Sequence, residues 1–282
     1  MSCVPGTAVG VYVDVANITL NGGRGMRYDV LRAFAARNGA LPQRLNAYVA
    51  YDRLKATEDA DYRHRTLAFH DRLRDYGYKV VTKDVTWYVD EDGVRYPKAN
   101  VDMTLAVDAL LQSAGLDRVL LVTGDGDFTQ VASALQNRGT RVEVVAFQNV
   151  SRALREEADY FISGYLIPNL QPTNNGPSRD HRWGEIGSRV RGSCYQFFQE
   201  KGFGFLRFIK QPELENANLW ITDSRDADSP YETAFVHVNT LPRSVAADSL
   251  PSRRIFLEFE LAAPIKEGDS PQAINVELAG RI

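Results

Sequence analysis

The sequence predicts an α/β domain built on a parallel β-sheet, followed by a smaller all-β barrel. Three observations carry this. Through about the first 165 residues, short apolar runs alternate with stretches of helical periodicity, the pattern of βαβ units. The segment Gln171–Gly187 (QPTNNGPSRDHRWGEIG) then breaks the pattern with Gly, Pro, Asn and charge. After it, only strand-length runs follow.

The elements are read in order. Ala8–Val13 (AVGVYV) is an uninterrupted apolar run, as expected of a strand covered on both faces. Tyr28–Arg37 has helical spacing, and Arg44–Ala50 is a second strand. Asp59–Tyr76 is helical, with Tyr62, Leu67, Phe69, Leu73 and Tyr76 spaced to line the core. Lys79–Thr82 is a third strand, and Met103–Ser113 is a helix ending near Gly115. Arg118–Val122 (RVLLV) is a buried strand. Phe128–Asn137 is a helix stopped by Gly139, and Arg141–Ala146 is the next strand. Beyond the polar segment, Arg191–Phe198, Gly202–Ile209, Thr233–Val238, Arg254–Leu261 and Ala273–Leu278 are strands with no long helix among them, which suggests a small barrel. The polar stretch Lys210–Glu232 reads as an insertion or long loop. The expected domains are 1–170 and 189–282, with 171–188 as linker.

Bulk properties narrow the function. A formal charge of −3 excludes a bulk polycation, so nucleic-acid binding has to come from local patches, aromatic faces or metal ions. Two cysteines, Cys3 and Cys194, give no disulfide framework. The N-terminal stretch has no basic leader, and no apolar run approaches the roughly 20 residues that span a bilayer. A cytoplasmic protein is the default expectation.

Three places put carboxylates at strand ends or helix starts. Asp14 follows GVYV, with Asn17 three residues on. Asp102 opens the helix MTLAVDALL, just after Lys98. Asp125 and Asp127 follow RVLLV, in Thr123-Gly-Asp-Gly-Asp-Phe128. In an open parallel sheet the carboxyl ends of the strands converge on one crevice. Carboxylates gathered there repel unless a cation lies between them, and a hard divalent ion takes oxygen ligands well. Gly124 and Gly126 suit a tight turn that brings backbone close to a substrate. Taken singly, an Asp after a strand is more often an N-cap or turn residue, and Asp127 is placed to cap the following helix. Asp108, further along its helix, is set aside. The joint pattern points to chemistry.

In this order, VYVDVANI, KANVDMTLAVDALL and LLVTGDGDF resemble the NYN domain, the LabA-like branch of the PIN-like nuclease superfamily. The resemblance covers about Val9–Leu166. It implies a Rossmann-like parallel sheet and a ribonuclease dependent on Mg²⁺ or Mn²⁺. Carried over residue by residue, Asp14, Asp102, Asp125 and Asp127 match the acidic, metal-binding positions. Asn17 matches a polar position and completes the candidate catalytic set, and Thr123 matches the hydroxyl residue before Gly-Asp. The chain departs at Ala99, where the family usually has glycine after the lysine.

In the C-terminal region, Phe203 and Phe205 lie two residues apart on one strand, and Phe235 and His237 do so on another, so each pair shares a face. Alternating Phe also describes an ordinary core strand. Aromatic rings beside Lys201 suit the stacking of unpaired bases, whereas Gly202 and Gly204 leave the opposite face small. EKGFGFL, AFVHV, FLEFEL and PQAINVEL resemble, in order, a cold-shock domain, an OB-fold binder of single-stranded nucleic acid. The resemblance implies RNA binding through Phe197, Lys201, Phe203, Phe205, Phe235 and His237. Two departures stand out: Gln196 replaces a usual stacking Trp, and Val238 replaces an aromatic after the His. Trp183–Ile282 also carries 11 Lys and Arg against 14 Asp and Glu. Weaker binding than a typical member is therefore expected, unless Arg179, Arg182, Arg189 and Arg191 hold phosphates.

The reading is a two-domain ribonuclease acting on single-stranded RNA, with single-stranded DNA left open and no membrane partner. The alternatives are a catalytically inactive RNA-binding regulator and an Asp-nucleophile phosphatase. The phosphatase chemistry commonly wants a second acid two residues after the first, where this chain has Ala16.

Overall fold

A computed structural model describes residues 6–173, 181–211, 213 and 217–282. In chain order the elements are β1 (Ala8–Asp14), α1 (Val15–Leu20), α2 (Tyr28–Ala35), β2 (Leu41–Tyr51), α3 (Arg53–Glu58) and α4 (Ala60–Asp75). Next come β3 (Lys79–Asp84), β4 (Thr86–Val89), β5 (Arg95–Lys98), α5 (Val101–Gln112), β6 (Arg118–Val122) and α6 (Thr129–Gln136). They are followed by β7 (Arg141–Ala146), α7 (Arg152–Glu157) and β8 (Tyr160–Ser163). The last strands are β9 (Arg189–Phe198), β10 (Phe203–Ile209), β11 (Tyr231–His237), β12 (Ile255–Ala262) and β13 (Gln272–Arg281). The chain divides into two compact units, Met1–Asn21 with Ala40–Phe161, and Gly22–Gly39 with Ile162–Ile282.

The first sheet has the order β3-β2-β1-β6-β7-β8. β1 pairs in parallel with β2 and with β6, β2 with β3, and β6 with β7. Every residue of β1 and β6 is buried, as their unbroken apolar runs require of central strands. The chain builds outward from β1 through β2 to β3, then returns to place β6 on the other side of β1. That reversal is a topological switch point, the place in such sheets where residues at the carboxyl ends of β1 and β6 come together. α5 seals the sheet beneath it: Val101, Leu105 and Ala109, four residues apart, are buried in one core with Tyr12, Tyr48 and Leu121.

α4 departs from expectation. Its buried residues are His70 and Leu73, whereas Leu67 is exposed and Tyr62, Phe69 and Tyr76 are only half-buried. It packs beside β3, a strand with no fully buried residue, so the core is thin there. α1, α3 and α7 have six residues each, too short for a periodic signal. The β4–β5 hairpin was also unexpected: β4 is exposed throughout, so no apolar alternation marks it. Among the described residues, no helix is long and apolar enough to cross a membrane.

The second unit contains a closed barrel with the order β10-β11-β13-β12-β9. In sequence terms the strands run 1-2-3-5-4 and return to 1, a Greek-key closure consistent with an OB-like barrel. β9, β10 and β11 form an antiparallel meander, and β11 meets β13 in parallel at Phe235 and Gln272. Phe197, Leu206, Phe208, Val236, Leu257 and Phe259 fill the interior. A fully buried carboxylate, Glu258, accepts hydrogen bonds from Arg189 Nε at 3.0 Å and Arg191 Nε at 2.9 Å. Arg191 also donates to the carbonyls of Gln171 and Pro172. These two arginines are thus committed within the fold. Arg182 is exposed, and Arg179 lies outside the described residues.

The two glycines of the EKGFGFL segment act differently. β10 starts at Phe203, and Gly202 instead closes the preceding turn at φ 65°. Gly204 faces inward, and a Cβ there would lie 2.5 Å from both the Gln196 carbonyl oxygen and the Phe197 ring. Gly204→Ala is therefore expected to destabilise the barrel by about 1–3 kcal/mol, read as a lower melting temperature of the full chain.

Candidate functional site

β1 delivers Asp14 to the switch point, and the loop after β6 meets it there. Asp14 is 3% exposed. Its Oδ1 accepts the Asn17 amide at 2.9 Å, which caps α1. Its Oδ2 faces the buried Thr123 hydroxyl at 3.5 Å. Asn17 Oδ1 accepts the Gly124 amide at 2.9 Å, and Thr123 Oγ1 accepts the Asp125 amide at 3.2 Å. Asp125 Oδ1 in turn accepts the Asp127 amide at 3.0 Å. The bonds that start α1 and turn the loop also hold the Asp14 and Asp125 carboxylates in place. Asn17 acts here by tying the two segments. No side chain caps α6, so Asp127 does not serve it as an N-cap. A Cβ at Gly126 would lie 2.8 Å from Ser151 Oγ, so this glycine serves close packing against the segment before α7.

The acids feel one another. Asp14 is pushed from an ordinary 3.8 up to about 6, first by burial and then by Asp102 and Asp125, against the lowering hydrogen bonds from Asn17 and Thr123. Asp102, on the first turn of α5, is raised by partial desolvation and then by Asp125 and Asp127. Asp102 and Asp125 therefore act on Asp14, and Asp125 and Asp127 act on Asp102. Among the described residues, however, no group of three or more His, Cys, Asp or Glu is gathered closely enough to hold a metal ion by itself. Asp108 belongs elsewhere. It accepts a hydrogen bond from the Tyr48 hydroxyl at 2.9 Å, and Tyr48 accepts one from the Asn46 amide at 3.0 Å, anchoring α5 to β2.

Residues 8–169 match the NYN domain family. The chain belongs to that family. The chain is similar to the low amplitude and bright protein LabA of Synechococcus elongatus, 34% identical over 97 residues, covering 33% of this chain and 52% of that protein. The chain thus spans about half the length of the curated relative it matches. A solved structure of a protein of unknown function from Vibrio parahaemolyticus is 26% identical with a TM-score of 0.46, over 58% of this chain and 96% of that one.

Beyond the NYN match, the barrel brings together most of the residues expected to bind RNA. Phe203, Phe205 and Phe235 are half-buried on one face, with Phe203 5.4 Å from Phe235 and 6.1 Å from Phe205 between ring centroids. Lys201 and His237 are exposed, and His237 Nδ1 accepts the Asn239 amide at 3.3 Å. Phe197 is a correction: it is 9% exposed and part of the barrel core. Phe198, its neighbour, points out instead and packs 5.1 Å from Phe203. Strand alternation alone signals that one of two adjacent Phe faces inward, but not which one.

Asp14 carries a pH signature. Its carboxyl binds a proton more tightly in the fold than in the unfolded chain, so ionising it destabilises the fold. Without added cation, the Asp14 contribution to stability therefore falls as pH rises from about 4 to about 6, by about 3 kcal/mol, and levels off above. Melting of the parent and of Asp14→Asn across that range should show a steeper fall in the parent.

Proposed function

We propose that the NYN region is a ribonuclease that hydrolyses phosphodiester bonds of single-stranded RNA with Mg²⁺ or Mn²⁺, and that the barrel is a cold-shock-like OB-fold that holds the strand. The observation that carries this is that Thr123 and Asn17 tie Asp14 to the loop bearing Asp125 at the switch point, with Asp102 near enough to raise the Asp14 carboxyl.

An all-oxygen donor set fits a hard divalent cation, and the raised Asp14 carboxyl is a group whose charge a cation would stabilise. The spread of the acids suits an ion held by one or two carboxylates, with water and substrate phosphate completing its shell. Asp14 and Asp125 are the direct candidates, and Asp102 and Asp127 act at the rim, directly or through water. When bound, such an ion polarises the phosphoryl group and readies a water for attack. The chain's own part is placement. Thr123 and Asn17 fix the Asp14–Asp125 geometry, and the exposed Asp102 and Asp127 repel RNA phosphates unless a cation is present.

A second reading, an RNA-binding protein that does not cleave, draws on the absence of a ready three-acid group among the described residues. One experiment separates the two. The purified chain is incubated with labelled single-stranded RNA and Mn²⁺, with and without EDTA, and the cut ends are mapped. The nuclease reading expects cleavage that EDTA stops and that Asp14→Asn or Asp125→Asn lowers by about 100-fold or more. Equal cutting by the Asp14→Asn, Asp125→Asn double variant would falsify the assignment. Independently of activity, millimolar Mn²⁺ should raise the melting temperature of the parent at neutral pH but not that of Asp14→Asn.

A further inference from the structure

The outer face of β9, β10 and β11 holds more aromatic surface than the cold-shock-like motif supplies. Opposite β10, the β9 ladder pairs Phe205 with Gln196 but Leu206 with Cys194, leaving Tyr195 as an extra residue. Such a bulge lets two consecutive side chains face the same way. Tyr195 and Gln196 are both exposed, while Cys194 and Phe197 on either side remain in the core. Phe198, paired with Phe203, also faces out. Tyr195 and Phe198 are 40% and 36% exposed, more open than the half-buried motif rings.

The rings form a continuous run. Centroid distances are 5.1 Å from Phe198 to Phe203, 6.1 Å from Phe203 to Phe205, and 6.5 Å from Phe205 to Tyr195. A cation stands at each end. Lys201 Nζ lies 5.9 Å from the Phe198 centroid. The Arg207 guanidinium lies 5.8 Å from Tyr195 and 5.1 Å from Tyr231, steadied by its bond to the Thr222 carbonyl at 3.0 Å.

We propose that Phe198, Phe203, Phe205 and Tyr195 form one lane for the unpaired bases of a single-stranded nucleic acid, with Tyr195 and Arg207 as a binding subsite at one end and Phe198 and Lys201 at the other. This rests on the barrel being a single-strand binder, and it adds two rings and a cation outside the motif. They replace what Gln196 and Val238 withhold. The occupant follows from the chemistry: flat rings offer their faces to bases of any sequence, and cations at the ends meet phosphates. Because the region from Trp183 to Ile282 is net acidic, stacking rather than bulk charge holds the strand. With about two phosphates neutralised, log affinity should fall with log salt at a slope of only about −1 to −2.

The test is fluorescence anisotropy of labelled oligo(U) with the full chain. Tyr195→Ala and Phe198→Ala are each expected to weaken binding about 5- to 150-fold, as Phe203→Ala should, while Tyr195→Phe binds like the parent. Tyr195→Leu keeps apolar bulk beneath Arg207 without a ring, and it should lose affinity while melting like the parent. If Phe203→Ala loses binding but Tyr195→Ala, Tyr195→Leu and Phe198→Ala do not, the lane is overturned and the single-strand reading stands. If the parent fails to bind, binds a duplex of the same length equally well, or is unaffected by Phe203→Ala, the single-strand reading itself falls and the lane with it.

Discussion

A carboxylate buried where β1 meets the loop after β6 organises the NYN region. Among the described residues Asp14 accepts from an amide and faces a hydroxyl, and the charges that act on it, Asp102 and Asp125, share its sign. One oxygen starts α1, and the other looks onto Thr123, whose hydroxyl helps shape the turn that presents Asp125. The parallel order of the sheet makes this possible, because only at the switch point do two adjacent strand ends open onto the same crevice.

The barrel treats a buried carboxylate in the opposite way. Glu258 is as deeply buried as Asp14 but sits between two guanidiniums that hydrogen-bond to it. Its charge is compensated within the fold, as a structural ion cluster requires. Among the described residues no cation is paired with Asp14, and its carboxyl is raised by burial, a condition that concentrates at functional sites. The contrast lies in the partners rather than in burial.

Much of this was legible in the sequence. The runs AVGVYV and RVLLV marked the two central strands, and the acids placed after them fell at their carboxyl ends. The expected parallel sheet and five-stranded barrel are both present. The less legible parts depend on contacts between distant segments. Nothing local in VANITL marks a helix apart from the Asp14 cap, and the exposed β4 lacks alternation. Gly22–Gly39 groups with the C-terminal unit, although it is flanked in sequence by the first. Asp108 was set aside from the acid cluster, but its bond to Tyr48 required knowing that α5 lies over β2. Phe197 turned inward and Phe198 outward because strand parity is decided by the partner strand.

The bulge at Tyr195 separates the inside of the barrel from its outside. Without that residue, the pairs Leu206–Cys194, Phe205–Gln196 and Gly204–Phe197 would form an unbroken ladder, and every core side chain would still face inward. One inserted residue therefore adds an outward ring at no cost to the interior pattern. Ligand surface on such a strand can grow or shrink in single-residue steps, while the alternation that specifies the barrel stays in frame.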